Sequence, residues 1–182
     1  GLRWSNGDPL VAGDFVVGMR RLVDPATASQ YAQILEPVVN AAAIVRRQRP
    51  PSELGVLAPD ARTVIVHLVN PTPYLLGLMA HPSTSPAHSP SLATHGERFA
   101  QPGRLVGNGA FVLEEWVVGS HIGMRRNPNY WNDPRTRLDR VRFFHTNDPS
   151  TEFRQYRAGQ LDVTYVVPAQ QSAWIRENLS TE

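Results

Sequence analysis

The chain has 182 residues, 41% hydrophobic and 19% charged, a balance that argues for a globular protein with a sizeable core and against disorder or a membrane-embedded chain. Every one of its 18 basic residues is arginine, but the formal net charge is +2 and the arginines are scattered except at Arg46-Arg47-x-Arg49, so nucleic acid is not an expected partner. No cysteine is present, which excludes a disulfide framework and a thiolate metal site and leaves the redox compartment open.

The chain opens on a polar turn, Trp4-Ser5-Asn6-Gly7-Asp8-Pro9, with neither an initiator methionine nor a charged-then-apolar leader, and is expected to be a piece of a longer protein. Phe15, Val16, Met19, Leu22 and Val23 follow the spacing of one helical face, with Asp14 near the start and Pro25 beyond the end, and predict the first helix. Shorter helices are expected over 27–35, carrying Tyr31, and over 41–47, closed by Pro50-Pro51. Residues 55–57 and 63–68 read as a hairpin around Pro59-Asp60, because Val64, Val66 and Leu68 alternate with Thr63, Ile65 and His67. A further helix is expected over 73–80, where proline suits the first helical position.

Proline, serine and histidine then dominate 81–90, which breaks both periodicities and marks a boundary between two halves, 1–88 and 89–182. Beyond a loop over 101–109, whose Gly107-Asn108-Gly109 is expected to permit unusual backbone angles, a strand over 110–118 turns at Gly119-Ser120 into a partner over 121–126. Another strand is expected over 140–145, then a helix starting at Asp148-Pro149 and ending at Ala158-Gly159. A strand over 161–166 and a helix over 168–178 complete an α+β pattern.

Catalytic and metal motifs are sparse. His81, His88 and His95 recur every seven residues, but Pro82, Pro86 and Pro90 prevent one helix from aligning them, so they read as loop or cleft-lining histidines and not as metal ligands. The serine of Gly119-Ser120-His121-Ile122-Gly123 sits one position early for a nucleophile elbow, and on a hairpin. Glu114 and Glu115 are adjacent on a strand and point to opposite faces, which rules them out as an acid/base pair. No dinucleotide fingerprint is present, no phosphate loop is possible without lysine, and no cofactor is expected. The scattered aromatics, Tyr31, Tyr74, Trp116, Tyr130, Trp131, Tyr156, Tyr165 and Trp174, divide between core and ligand-contact readings.

Trp4-Ser5-Asn6-Gly7-Asp8-Pro9 followed by Ala12-Gly13-Asp14-Phe15 resembles the signature of the extracellular solute-binding proteins of family 5, the peptide-binding components of ABC importers. The likeness continues in order through Arg21-Leu22-Val23-Asp24-Pro25, Ala28-Ser29-Gln30-Tyr31, His81-Pro82-Ser83-Thr84, Asn108-Gly109-Ala110-Phe111, Asn127-Pro128-Asn129-Tyr130-Trp131 and Tyr156-Arg157-Ala158-Gly159-Gln160-Leu161-Asp162, and is strongest to the oligopeptide-binding branch.

That resemblance implies a periplasmic-binding-protein type II-like fold, here a partial two-lobe piece. Residues 1–88 would belong to the small second domain and 89–182 to the first, ligand-binding domain, with the third domain absent. It implies capture of oligopeptides in the periplasm, or on the outer face of the cytoplasmic membrane, for delivery to permease subunits, with no enzymatic role. By position, Tyr31 matches a tyrosine that contacts bound peptide, and His81 and Tyr165 match positions close to the cleft. Val166 and Val167 stand where that branch can carry amides. A truncated piece is also expected to expose apolar surface and self-associate. Two other classes stay open: a hydrolase with dispersed catalytic residues, and a regulatory or chaperone-like peptide binder on the same fold.

Overall fold

The computed structural model describes residues 1–178, which form two compact units. The first comprises Gly1–Trp116 and Gly123–Val141; the second comprises Val117–Ile122 and the chain from Arg142 onward.

The first unit is built on helix α1, Ala12–Val23. Asp14 holds its first turn by accepting the Val11 N–H at 3.1 Å, which satisfies one of the donors a helix start leaves open. The predicted face is the buried one. Val16, Met19, Leu22 and Val23 pack with Leu35, Val38, Ala41, Ile44, Leu54 and Val56 into one core, each larger aliphatic chain contributing about 1.5–3 kcal/mol on leaving water. Helix α2 spans Ala41–Val45 and helix α3 Leu75–Met79, close to the predicted positions. Strands β1 (Val56–Leu57) and β2 (Ile65–Val66) pair antiparallel, Val56 opposite Val66 and Leu57 opposite Ile65. Asp60 makes the turn between them by accepting the Arg62 and Thr63 N–H groups at 2.7 and 2.9 Å. Val64, Val66 and Leu68 pack on the core while Thr63, Ile65 and His67 stay exposed, as their alternation predicts.

The expected helix over 27–35 is not formed. Ala28 adopts φ +51°, a left-handed conformation that interrupts helical hydrogen bonding, and only a 3₁₀ turn at Ala32–Leu35 survives. Residues 81–90 are also more ordered than their composition suggests: a 3₁₀ turn at Pro82–Thr84 leads to helix α4, Ser89–His95, and Ala87 N–H donates to the Asp14 carbonyl at 3.1 Å.

Strands β3 (Phe111–Val117), β4 (His121–Arg126) and β5 (Arg140–Phe144) form a sheet in that order. The β3–β4 turn closes by a Ser120 N–H to Val117 carbonyl bond of 3.0 Å, with φ +75° at Gly119, a value that suits glycine. After β4, the Arg126 guanidinium forks onto the Asp133 carboxylate at 2.6 and 3.0 Å and fixes the turn Asp133–Arg135.

In the second unit, helix α5 spans Pro149–Arg157, with proline at its first position and Gly159 at φ +71° just past its end. Phe153 is buried, stacked on Tyr156 and edge-on to Trp174 of helix α6, Ser172–Asn178; the Arg157 guanidinium covers the Trp174 ring at 4.1 Å. The expected strand over 161–166 is absent. Among the described residues no strand pairs with this segment, and its Val163 and Tyr165 are 79% and 97% exposed.

Asp148 caps α5 by accepting the Ser150 and Thr151 N–H groups at 3.1 and 3.0 Å and the Thr151 hydroxyl at 2.6 Å. The Thr151 side chain and then the Ser150 N–H hold its carboxyl below the usual carboxylate range. A carboxyl whose pKa is lower in the folded than in the unfolded chain gives stability that is complete above the unfolded pKa and disappears as pH falls through the folded one. The stability difference between the native chain and Asp148→Ala is therefore expected to be constant near neutrality and to shrink in acid. Urea unfolding across a pH series, followed by helical circular dichroism, checks this; a gap that widens in acid contradicts it.

Candidate functional site

The residues of the N-terminal signature assemble first, as a junction. Trp4 is 2% exposed, and its indole Nε1 donates to Asp14 Oδ2 at 3.0 Å. Asp14 is itself buried and takes the Ser89 hydroxyl on its other oxygen at 3.0 Å. Asn6 folds the turn back by donating to Asp8 Oδ2 and accepting the Asp8 N–H, at 2.7 and 3.1 Å. Ser5 then reaches two distant loops. Its N–H donates to the Gly107 carbonyl at 2.7 Å, its hydroxyl accepts the Gly107 N–H at 3.3 Å, and its carbonyl accepts Asn129 Nδ2 at 3.1 Å. Fully buried Asn127 completes the stitch by donating from Nδ2 to the Gly109 carbonyl at 2.7 Å and accepting the Asn129 N–H at 3.0 Å. The most distinctive motifs of the sequence thus tie together distant segments of the first unit. Neither Gly107 nor Gly109 has a positive φ, contrary to expectation; in this loop that conformation falls at Gly103.

His88 also departs from its predicted loop or cleft-lining place. It is 5% exposed, with its ring edge-on to Trp4 at 5.2 Å between centroids, Nε2 on Asp8 Oδ2 at 3.0 Å and Nδ1 on the Ser91 hydroxyl at 2.7 Å. Serine, histidine and carboxylate in sequence invite a nucleophilic reading. Two observations favour a capping one: Nδ1 also accepts the Ser91 N–H at the start of α4, at 3.2 Å, and Ser91 is only 7% exposed. Asp8 lies 80 residues from His88, so no local spacing signals the contact. His95 ends α4, and among the described residues no cluster of three His, Cys, Asp or Glu side chains could hold a metal ion.

Two of the residues that the resemblance marks lie together. The Tyr31 and His81 rings pack at 4.9 Å between centroids with their planes tilted by 47°. Each is fixed from below. Asp24 turns the chain after α1 by accepting the Ala26 N–H at 2.9 Å, and Ser29 Oγ accepts the Tyr31 N–H at 3.2 Å. The 3₁₀ turn that follows carries Leu35, fully buried in the core. His81 caps the turn Pro82–Thr84: its Nδ1 accepts the Ser83 N–H at 3.2 Å and contacts the Ser83 hydroxyl at 2.8 Å, while its carbonyl takes the Thr84 hydroxyl at 2.7 Å. With Nδ1 engaged, Nε2 is the ring atom left for a ligand. Tyr31 is 49% exposed, and among the described residues its hydroxyl makes no hydrogen bond. A partly exposed aromatic surface with unspent polar atoms can stack on a ligand and hydrogen-bond it at once.

On the same unit, an open cavity of about 560 Å³ is lined by Gln33, Ile34, Val69, Tyr74 and Leu78 among others. Apart from Tyr74, nothing in the sequence marked it, since its walls come from the turn after Tyr31, the 69–74 segment and α3. Tyr165, the third marked residue, belongs to the second unit; its N–H donates to Glu152 Oε1 and its side chain is almost fully exposed.

This architecture recurs in solved binding proteins. The chain superimposes along 100% of its length on 36% of the chain of Haemophilus influenzae OppA in complex with the peptide RPPGFSPFR, with a TM-score of 0.94 and 41% identity. It likewise matches 35% of the Escherichia coli murein tripeptide binding protein MppA, covering 98% of this chain with a TM-score of 0.93 and 34% identity. The fold is therefore part of a periplasmic-binding-protein type II fold, α+β in composition. The family described as bacterial extracellular solute-binding proteins, family 5 (middle), matches residues 1–181, and the chain belongs to that family. Among curated relatives, the periplasmic oligopeptide-binding protein OppA of Haemophilus influenzae is 41% identical over 99% of this chain. A protein of Escherichia coli K12 named as a probable deoxycholate-binding periplasmic protein, YgiS, is 42% identical over 100% of it. The chain spans about a third of the length of these relatives, 34% in each case.

Proposed function

We propose that this chain is part of the substrate-binding component of an ABC importer, which captures oligopeptides in the periplasm or at the outer face of the cytoplasmic membrane and hands them to a permease. The observation that carries the reading is the Tyr31–His81 pair, with Tyr31 half-exposed, His81 part-buried and polar atoms to spare, in a chain 41% identical to an oligopeptide-binding OppA. An extended peptide is bound mainly through its backbone, so exposed aromatic and imidazole groups suit ligands of varied side chains better than a tailored pocket does. Tyr165 is assigned to the same binding function, and no catalytic role is assigned to any residue. In the whole protein, 1–88 and 89–182 would fall in two different domains, although the compact units of this chain divide at Trp116, Ile122 and Val141. Exposed Val118, Phe143 and Phe144 support self-association of the chain on its own.

The relative named for deoxycholate supports a second ligand class, an amphiphilic sterol acid, for which an aromatic surface would serve equally well. Calorimetry with a pool of tripeptides and tetrapeptides, and separately with deoxycholate, distinguishes the two. In the full-length reading frame, Tyr31→Ala is expected to weaken peptide binding about tenfold while leaving the unfolding midpoint unchanged. The 182-residue chain alone is expected to bind poorly, because an incomplete enclosure leaves the peptide backbone solvated. Submicromolar peptide binding by this chain, or full affinity in Tyr31→Ala, would overturn the assignment.

A further inference from the structure

We propose that Asn108 is a site of spontaneous, non-enzymatic backbone modification, in which its side-chain amide is lost through a succinimide formed with Gly109. Two Asn-Gly pairs occur, Asn6-Gly7 and Asn108-Gly109, and the fold treats them in opposite ways. Such a reaction needs the nitrogen of the following residue to be free to approach the asparagine Cγ, and glycine permits that approach because it has no side chain. At Asn6 both requirements are blocked. The Gly7 N–H is spent on the Trp4 carbonyl at 2.9 Å, and the Asn6 amide is held at both ends by Asp8 at 2.7 and 3.1 Å. At Asn108 neither is. Among the described residues the Gly109 N–H donates no hydrogen bond and the Asn108 side chain makes none, Gly109 is exposed, and the space where its Cβ would lie is open.

The chemistry needs only water. The Gly109 nitrogen gives up its proton to solvent and forms a bond to Asn108 Cγ; the bond from Cγ to Nδ2 breaks, and the nitrogen leaves as ammonia after taking a proton. Water then opens the five-membered ring. Addition at Cγ gives aspartate; addition at the main-chain carbonyl carbon gives isoaspartate, with the backbone rerouted through Cγ. No atom is oxidised or reduced.

The position gives the change a structural effect. Asn108 lies between two anchors, Gly107 bonded to Ser5 and Gly109 bonded to Asn127, and isoaspartate inserts one methylene between them. The two anchors then lose their common register, and a carboxylate replaces a neutral amide in the junction.

The test is to age the folded chain in mildly alkaline buffer and map both asparagines by peptide mass spectrometry with an isoaspartate-specific methylation assay. Asn108 is expected to convert about tenfold faster than Asn6 in the folded chain, with the difference disappearing in urea, since local structure alone separates the two sites. Gly109→Ala, which meets no atom within 4 Å, is expected to keep the fold and slow the conversion at Asn108. Conversion of Asn6 as fast as Asn108 in the folded chain, or an Asn108 that reacts only in urea, would overturn the proposal.

Discussion

Replacing Trp4 with alanine is expected to remove about 4 kcal/mol of folding stability, the range found for large aromatics deleted from a core. The side chain is 2% exposed and does two jobs that alanine cannot do. It fills the space between α1 and the His88 ring, and it donates from Nε1 to Asp14 Oδ2. Without that donor the buried carboxylate keeps only the Val11 N–H on this oxygen and the Ser89 hydroxyl on the other. Trp4→Phe separates the two effects: it retains most of the apolar volume and should lose about 1–3 kcal/mol, the range for a buried acceptor deprived of a partner. Urea unfolding of both variants beside the native chain gives the comparison. A Trp4→Ala midpoint equal to that of the native chain would show that the junction contributes nothing to stability.

Gly18→Ala is expected to destabilise the chain by about 2 kcal/mol net, although alanine is the better helix former. In an exposed helix the exchange would gain about 1 kcal/mol. Here a Cβ on Gly18 would lie 2.5 Å from the Ser85 carbonyl oxygen, 3.3 Å from the Ala87 nitrogen and 3.4 Å from the Pro86 Cα. All three are backbone atoms, so no rotamer change relieves the contact. Nor can the segment easily retreat, since Ala87 is bonded to the Asp14 carbonyl and the adjoining His88 is buried. Thermal unfolding of the variant beside the native chain checks this, with Gly13, on the same helix but with open space around its Cβ position, as the control: Gly13→Ala should be neutral or stabilising, and a Gly18→Ala midpoint equal to or above the native one contradicts the prediction.

Elements whose determinants are local were legible in the sequence. The face of α1, the β1–β2 alternation, the Gly119 turn, and the proline and glycine that bracket α5 all follow from residues within one or two turns of each other. The misreadings have a common physical origin. Residues 27–35 have helical composition, but Ala28 takes a left-handed conformation that no propensity encodes. Residues 161–166 alternate like a strand, but a strand needs a partner and none among the described residues pairs with them. The serine and proline around His88 point to a loop or cleft-lining residue, whereas its burial comes from Asp8 and Trp4, far away in sequence. The candidate site divides in the same way. Tyr31 and His81 are 50 positions apart, so periodicity could not have paired them; only the family likeness marked both, and their contact emerges from the fold.

The stitch at Ser5 also sets an order of events. Its partners lie 102 and 124 residues downstream, whereas the contacts that form α1 span only a few positions. Contacts between distant positions close slowly because the intervening loop must first be ordered. On a ribosome, α1 can coil soon after it emerges, but the turn in front of it must wait until Asn129 has been synthesised and released from the tunnel. Trp4, whose ring packs edge-on to His88, therefore stays without its final surroundings until residue 88 has emerged. A nascent chain of this kind depends on keeping this turn from other partners until its distant acceptor arrives.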